Sequence, residues 1–362
     1  MLEKELAKRS LPDLFCVPGK KTVTTKDDWE SIARPYWRRI LLQEEYGMLP
    51  PVIEPEICVK ANAINFAGKA MWEEVSFKFK RNGKEHTVPA QLIYPKGAKG
   101  CPFFVYLDFY PEIPSIYLPV EEIIDGGFGI FTVCHKDVTK DNGDFTDGLA
   151  GLFREGDRTF DDTGKIAYWA YMTSRMMDYL LTREEADKNA IGVAGHSRYG
   201  KAVLLAAALD ERFSFVCSNE SGCSGAALSR NRCKGAEAIR DICGAVPYWF
   251  CPNYLKYVDN EDKQPFDQHC LLALVAPRRA YIGTAVEDIW GDTESQFLSC
   301  VAASKAWNLY GKAGFVSPDR LPVCGDVFTD GEIGFHLRAG EHFLSRLDWQ
   351  IYMQSVRKFL DK

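Results

Sequence analysis

The chain has 362 residues, 46% hydrophobic and 26% charged, with a formal net charge of −6. That size suits one large domain or two small ones around a buried core, and the composition is that of a soluble globular protein. The acidic balance and the lack of a basic run argue against a nucleic-acid partner, and no apolar stretch approaches the roughly 18 residues of a membrane span.

Residues Met1 to Arg9 carry no apolar run. This predicts a cytoplasmic protein, or a secreted one whose signal peptide has been removed. The twelve cysteines are scattered, with no C-x-x-C pair and no Cys/His spacing that suits zinc. They read as buried reduced thiols, and no metal or cofactor is expected.

Residues 1–60 read as a lead-in packed on a main domain of 61–362, with one helix at about 27–46. Two strands follow near 73–80 and 86–94. Arg81-Asn82-Gly83-Lys84 joins them, and Asn-Gly between strand patterns is a strong hairpin signal. The apolar run Pro102 to Leu107 predicts a strand covered on both faces. Gly129 to Val133 predicts another, after a short helix at 119–125. Residues 136–160, rich in Asp, Gly and Thr, read as loop, and Ile166, Trp169, Met172, Met176 and Leu180 recur at helical spacing over 163–182. Strand 189–195, helix 198–209 and strand 213–218 come next, then a long connection, 221–265. Helix 267–275, strand 279–285, helix 294–311, a strand near 321–328 and a last helix, 346–360, complete the chain. This alternation predicts a three-layer α/β sandwich with a mostly parallel sheet and an antiparallel N-terminal hairpin. The stretch 221–265 is expected as an insertion over the carboxyl edge of the sheet, where ligands bind in such folds.

The most informative segment is Asn189-Ala190-Ile191-Gly192-Val193-Ala194-Gly195-His196-Ser197-Arg198-Tyr199-Gly200-Lys201. A strand runs into Ser197 and a helix starts at once. That is the context of a nucleophile elbow in an α/β-hydrolase fold, where small residues must flank a serine thrust above the sheet. The usual pattern is G-x-S-x-G; here Tyr199 stands at the second glycine position and Gly200 follows it. A serine needs a base to take its proton. In this fold the base follows the last strand and precedes the last helix, which leaves His336 and His342 among six histidines. His342, nearer the helix and after Gly340, is assigned as the base, and His336 is placed at a strand end. His196 is expected beneath the nucleophile and His269 in a structural hydrogen bond. Two carboxylates compete to orient the base: Asp288, after strand 279–285, and Glu220, after strand 213–218. Arg198 follows the nucleophile, so its backbone N–H is the expected oxyanion donor and its guanidinium adds positive charge there. Lys201 shares its helical face, and two cations at the mouth favour an anionic substrate.

At these residues the sequence resembles the glucuronoyl esterases, carbohydrate esterases of the α/β-hydrolase superfamily, in their bacterial form. The family's elbow, G-C-S-R-x-G-K, is similar to Gly195, Ser197, Arg198, Gly200 and Lys201, with His196 in place of the cysteine. Glu220-Ser221-Gly222, Tyr248-Trp249-Phe250, Pro265-Phe266-Asp267-Gln268-His269, Ala276-Pro277-Arg278, Asp288-Ile289-Trp290 and Arg338-Ala339-Gly340-Glu341-His342 extend the match, firmly over 190–362. The resemblance implies Ser197, His342, Glu220 and Asp288 as catalytic residues and Arg198 as oxyanion stabiliser. It implies Lys201 and Trp290 as contacts to the sugar, and Glu237 is the candidate within 230–246 for the polar contact to its hydroxyls. The implied activity is hydrolysis of glucuronate esters, of the 4-O-methyl-glucuronoyl methylesterase type, on an oligosaccharide derived from glucuronoxylan or another sugar ester. A sugar deacetylase of the acetyl xylan esterase kind is the alternative reading, and a binding protein on the same scaffold is the third.

Overall fold

The computed structural model describes residues 1–360; residues 361 and 362, which end the predicted main domain, lie outside the described residues. Ten strands form one sheet: β1 (Glu56–Asn65), β2 (Ala70–Arg81), β3 (Lys84–Pro95), β4 (Cys101–Asp108), β5 (Gly129–Cys134), β6 (Ala186–His196), β7 (Phe215–Asn219), β8 (Arg279–Ala285), β9 (Val327–Phe328) and β10 (Ile333–Arg338). Their order is β1-β2-β3-β5-β4-β6-β7-β8-β10-β9. The run from β5 to β10 is parallel, and β1, β2 and β3 add an antiparallel flank. Arg81 pairs with Lys84 across Asn82 and Gly83, both at positive φ, which is the two-residue turn that matches strand twist.

Alternation along a strand divides the core into two layers. On β4, Phe103, Val105 and Leu107 join the layer built with helices Lys165–Leu180, Arg198–Leu209, Gln268–Ala273 and Thr293–Ala303. Phe104 and Tyr106 face the other way, onto helices Val120–Asp125 and Arg346–Leu360. A strand buried on both faces needs an unbroken apolar run, which is why β4 and β5 stand out in the sequence. Burial pushes the thiols of Cys217, Cys270 and Cys300 upward within these layers.

Three elements differ from the expectation. The edge strand β1 is an addition to the expected sheet; its Ile57, Val59 and Ile64 remain exposed, so these apolar residues mark no buried face to read. The last parallel strand is β10, not 321–328. Residues 327–328 only pair antiparallel with it. The polar residues His336 and Arg338 disguise β10, and both are buried because they share the carboxylate of Asp348. The loop 136–160 contains two short helices, His135–Val138 and Gly148–Phe153.

The helix expected at 27–46 is continuous over 26–46, with wide π turns at Trp29–Ala33 and Leu42–Tyr46. The π turns re-aim the buried face, which carries Trp29, Ala33, Trp37, Leu41, Leu42 and Tyr46 into the core. This helix also supports the insertion: Tyr46 donates to the Ser224 carbonyl, and the Glu45 carbonyl accepts from the Cys251 N–H. The Glu45 side chain is fully buried, with both oxygens on the Gln268 amide at 3.0 and 3.1 Å. Burial pushes its carboxyl from 4.5 up to about 8, and nearby Asp267 adds to this. The folded chain therefore holds a proton that the unfolded chain releases between pH 4.5 and 8, so this group lowers stability as pH rises through that window. Glu45→Gln is expected to raise the melting temperature by about 2–4 °C at pH 8 and much less at pH 5. Thermal melts with parallel pH dependence in the two proteins would contradict this.

Candidate active site

Ser197 sits between β6 and helix Arg198–Leu209 with φ 56° and ψ −122°. Its N–H is held by the Asn219 carbonyl at 2.9 Å, which fastens the turn to β7. A side chain at Gly195 would collide with the Tyr199 carbonyl, and one at Gly200 would lie 2.9 Å from the Ser221 Cβ and 3.0 Å from the Asn219 carbonyl oxygen. The tight crossings are therefore at 195 and 200, which accounts for the displaced second glycine. Tyr199 turns away from the site into a nest of rings, with centroids 4.5 Å from Phe109, 5.0 Å from His135 and 5.2 Å from Trp169.

The ends of β6, β7, β8 and β10 bring the predicted residues to one edge. His342 Nδ1 lies 2.8 Å from Asp288 Oδ2 and 3.3 Å from Glu220 Oε2. Both expected acids thus meet the same ring nitrogen, and Nε2 is left for a proton from a serine. The imidazole is 42% exposed while the two carboxylates are buried. Glu220 has φ 47° and is fixed by its N–H to the Gly283 carbonyl at 2.8 Å. Asp288 takes the Gly291 N–H on Oδ1 at 3.0 Å. Burial pushes Glu220 up to about 9; Arg338 opposes this, and the charges of Asp288 and Asp348 reinforce it. Two carboxylates this close resist holding two negative charges in a dry site.

His196 is buried beside them, its ring centroid 4.6 Å from that of His342. Its Nδ1 donates to the Asn219 amide oxygen at 2.7 Å, while the Asn219 amide nitrogen donates to Tyr352. Burial pushes this imidazole down to about 3, with the His342 charge adding to the effect, so it is neutral. His336 lies within β10, bound to Asp348 at 2.7 Å, and His269 is bound to the Pro12 carbonyl at 2.9 Å. Among the described residues, His196, Glu220 and His342 are the one group of donors close enough to share a cation, and they belong to this hydrogen-bonded cluster.

The two cations behave differently. The Arg198 guanidinium is paired with Asp141 and lies over the Trp249 ring, 4.9 Å from the centroid. The second Asp141 oxygen accepts from the Trp249 indole at 2.6 Å. This clamp fixes where the charge of Arg198 points. Lys201 is only 4% exposed. Its ammonium donates to the carbonyls of Ser221 at 2.5 Å and Cys223 at 2.6 Å, and Glu237 Oε2 stands 3.9 Å away. Lys201 is therefore the buried tie that holds the 221–223 loop. Glu237 is raised by burial and lowered by Lys201 and the Trp290 side chain. Its N–H is bound to the Trp290 carbonyl at 3.0 Å, and Trp290 is 53% exposed. Lys201, Glu237 and Trp290 form one cluster.

Asp141, Arg338 and Asp348 were not assigned roles from sequence. Asp141 lies in the stretch 136–160 that reads as loop, and Arg338 stands in the sequence only as part of a matching segment. A buried arginine in a strand gives no local signal.

A mostly parallel sheet with Ser, His and carboxylates at its carboxyl edge defines an α/β-hydrolase built for ester hydrolysis. The model of the family described as "Glucuronyl esterase, fungi" matches residues 77–311. Carbohydrate esterase MZ0003, from an unknown prokaryotic organism, is 32% identical over 97% of this chain and 90% of its own. The 4-O-methyl-glucuronoyl methylesterase of Schizophyllum commune is 30% identical over 82% of this chain and 72% of its own. The glucuronoyl esterase from Solibacter usitatus superposes with a TM-score of 0.90 at 31% identity, covering 96% of this chain and 97% of its own. The chain belongs to the glucuronoyl esterase family and is a carboxylic ester hydrolase.

Proposed function

We propose that this enzyme hydrolyses esters of glucuronic acid carried on xylan-derived oligosaccharides, through an acyl-enzyme on Ser197. The Ser197 hydroxyl attacks the ester carbon as His342 Nε2 takes its proton. Asp288 and Glu220 hold the resulting imidazolium through Nδ1. The negative charge on the carbonyl oxygen falls on the Arg198 N–H at the helix start and beside the Arg198 guanidinium. Collapse releases the alcohol with the proton from His342. Water then attacks the acyl-enzyme by the same relay and frees the uronic acid.

The observation that carries the reading is the Lys201, Glu237 and Trp290 cluster beside the catalytic edge. In a glucuronate ester the reacting carbonyl is bonded directly to the sugar ring, so the ring must sit next to the oxyanion. An exposed Trp suits the ring's C–H surface, and Glu237 suits its hydroxyls. An acetyl group requires neither. The test compares benzyl or methyl glucuronate with acetylated xylo-oligosaccharides. The expected kcat/KM favours the glucuronate ester by about 10²-fold or more, given that unpaired buried polar groups penalise the wrong substrate. A preference for the acetyl ester would make the enzyme a sugar deacetylase.

A further inference from the structure

Arg338 ends β10 and is 8% exposed. Its guanidinium has five N–H donors, and they are shared between two carboxylates and the loop that bears His342. Nε donates to both Asp348 oxygens, at 3.1 and 2.9 Å. Nη1 donates to the Ala339 carbonyl at 2.9 Å. Nη2 donates to Glu220 Oε1 at 2.7 Å, to the Glu341 carbonyl at 3.2 Å, and to the Phe343 carbonyl. Thus the carbonyls just before and after His342 hang on the same planar group that holds one oxygen of Glu220. Asp348 anchors that group in turn. It accepts from His336 at 2.7 Å and from the Ser345 N–H and hydroxyl at 2.6 Å each, at the start of the last helix.

We propose that Arg338 is the positioning residue of this active site: it fixes the 339–343 loop and the Glu220 carboxyl together, so that His342 Nδ1 and Glu220 Oε2 meet. With Oε1 taken by Arg338, only Oε2 faces the imidazole, at 3.3 Å. A lysine retains the charge but cannot span carboxylate, carboxylate and three carbonyls, because its donors radiate from one atom. Arg338 touches neither substrate nor reacting atoms; it acts through His342 and Glu220. The inference rests on the reading of His342 as the base.

The test uses Arg338→Lys and Arg338→Ala in the full-length enzyme, assayed on benzyl glucuronate. A base displaced by an ångström costs about 10²-fold. The expected result for Arg338→Lys is a kcat lowered by about 10- to 100-fold, with KM within about 3-fold of wild type. Labelling of Ser197 by an activated phosphonate is expected to slow in parallel, and added guanidinium ion is expected to restore part of the activity of Arg338→Ala. A structural role alone would lower the folded fraction and leave the kcat of the remaining folded enzyme unchanged. If Arg338→Ala does not fold, Arg338→Lys decides. Wild-type kcat and wild-type labelling in folded Arg338→Lys would overturn the proposal. Failure of the wild-type enzyme on glucuronate esters is a different result: it strikes the substrate assignment, and the labelling rates still test Arg338.

Discussion

Replacing Ser197 with alanine is expected to lower kcat on a glucuronate ester by about 10⁶-fold, or to the detection limit, with the fold intact. The side chain makes no part of the core, and the elbow is held by backbone: the Ser197 N–H on the Asn219 carbonyl, and the close crossings at Gly195 and Gly200. Alanine fits the same turn, so melting temperature should not fall. His342→Ala should cost about as much, and the double variant no more than either alone, because nucleophile and base act as one unit. Steady-state kinetics with circular dichroism on the three variants checks this. A variant lacking Ser197 that retains wild-type turnover would remove the serine from the mechanism.

The second large effect concerns the two acids. Asp288 is the closer partner of His342 at 2.8 Å, and Glu220 stands at 3.3 Å with its other oxygen committed to Arg338. Part of what raises Glu220 is the charge of Asp288 itself. Removing Asp288 therefore makes Glu220 easier to ionise, and Glu220 takes over part of the work. Asp288→Ala is expected to lower kcat by roughly 10²-fold and Glu220→Ala by roughly 10-fold. The double variant should lose about 10⁴-fold, more than the product of the singles, since the imidazolium then has no carboxylate at Nδ1. A double-mutant cycle on kcat reads this directly. Singles that each equal the double would mean that one acid cannot substitute for the other.

Much of this arrangement was legible in the sequence, for identifiable reasons. Parallel strands covered on both faces are apolar almost throughout, so β4 and β5 stand out, and Arg279–Ala285 and helix Arg198–Leu209 fall where the sequence places them. The residues at the carboxyl ends of these strands carry the site, so locating the strands located Ser197, Glu220 and Asp288. Hydrophobic patterning failed where polar residues are buried by partners distant in sequence. His336 and Arg338 sit buried in β10 only because Asp348 receives both. The same limit applies to Lys201, which the sequence places as a cation at the mouth of the site and which proves to be buried on two carbonyls of the following loop. Asp141 reads as loop and proves to clamp Arg198. Arg338 and Lys201 are buried charges whose cost is offset by contacts that only the folded chain brings together. The edge strand β1 escapes the pattern for the opposite reason, since its Ile57, Val59 and Ile64 stay in solvent.

The central claim is that Ser197 is the nucleophile of an acyl-transfer site. Mass spectrometry of the enzyme treated with an activated phosphonate ester tests it most directly. One adduct per chain is expected, on Ser197, forming in step with loss of esterase activity and slowed by methyl glucuronate. Loss of activity with the adduct on another residue, or a folded and active enzyme that takes no label, would contradict it.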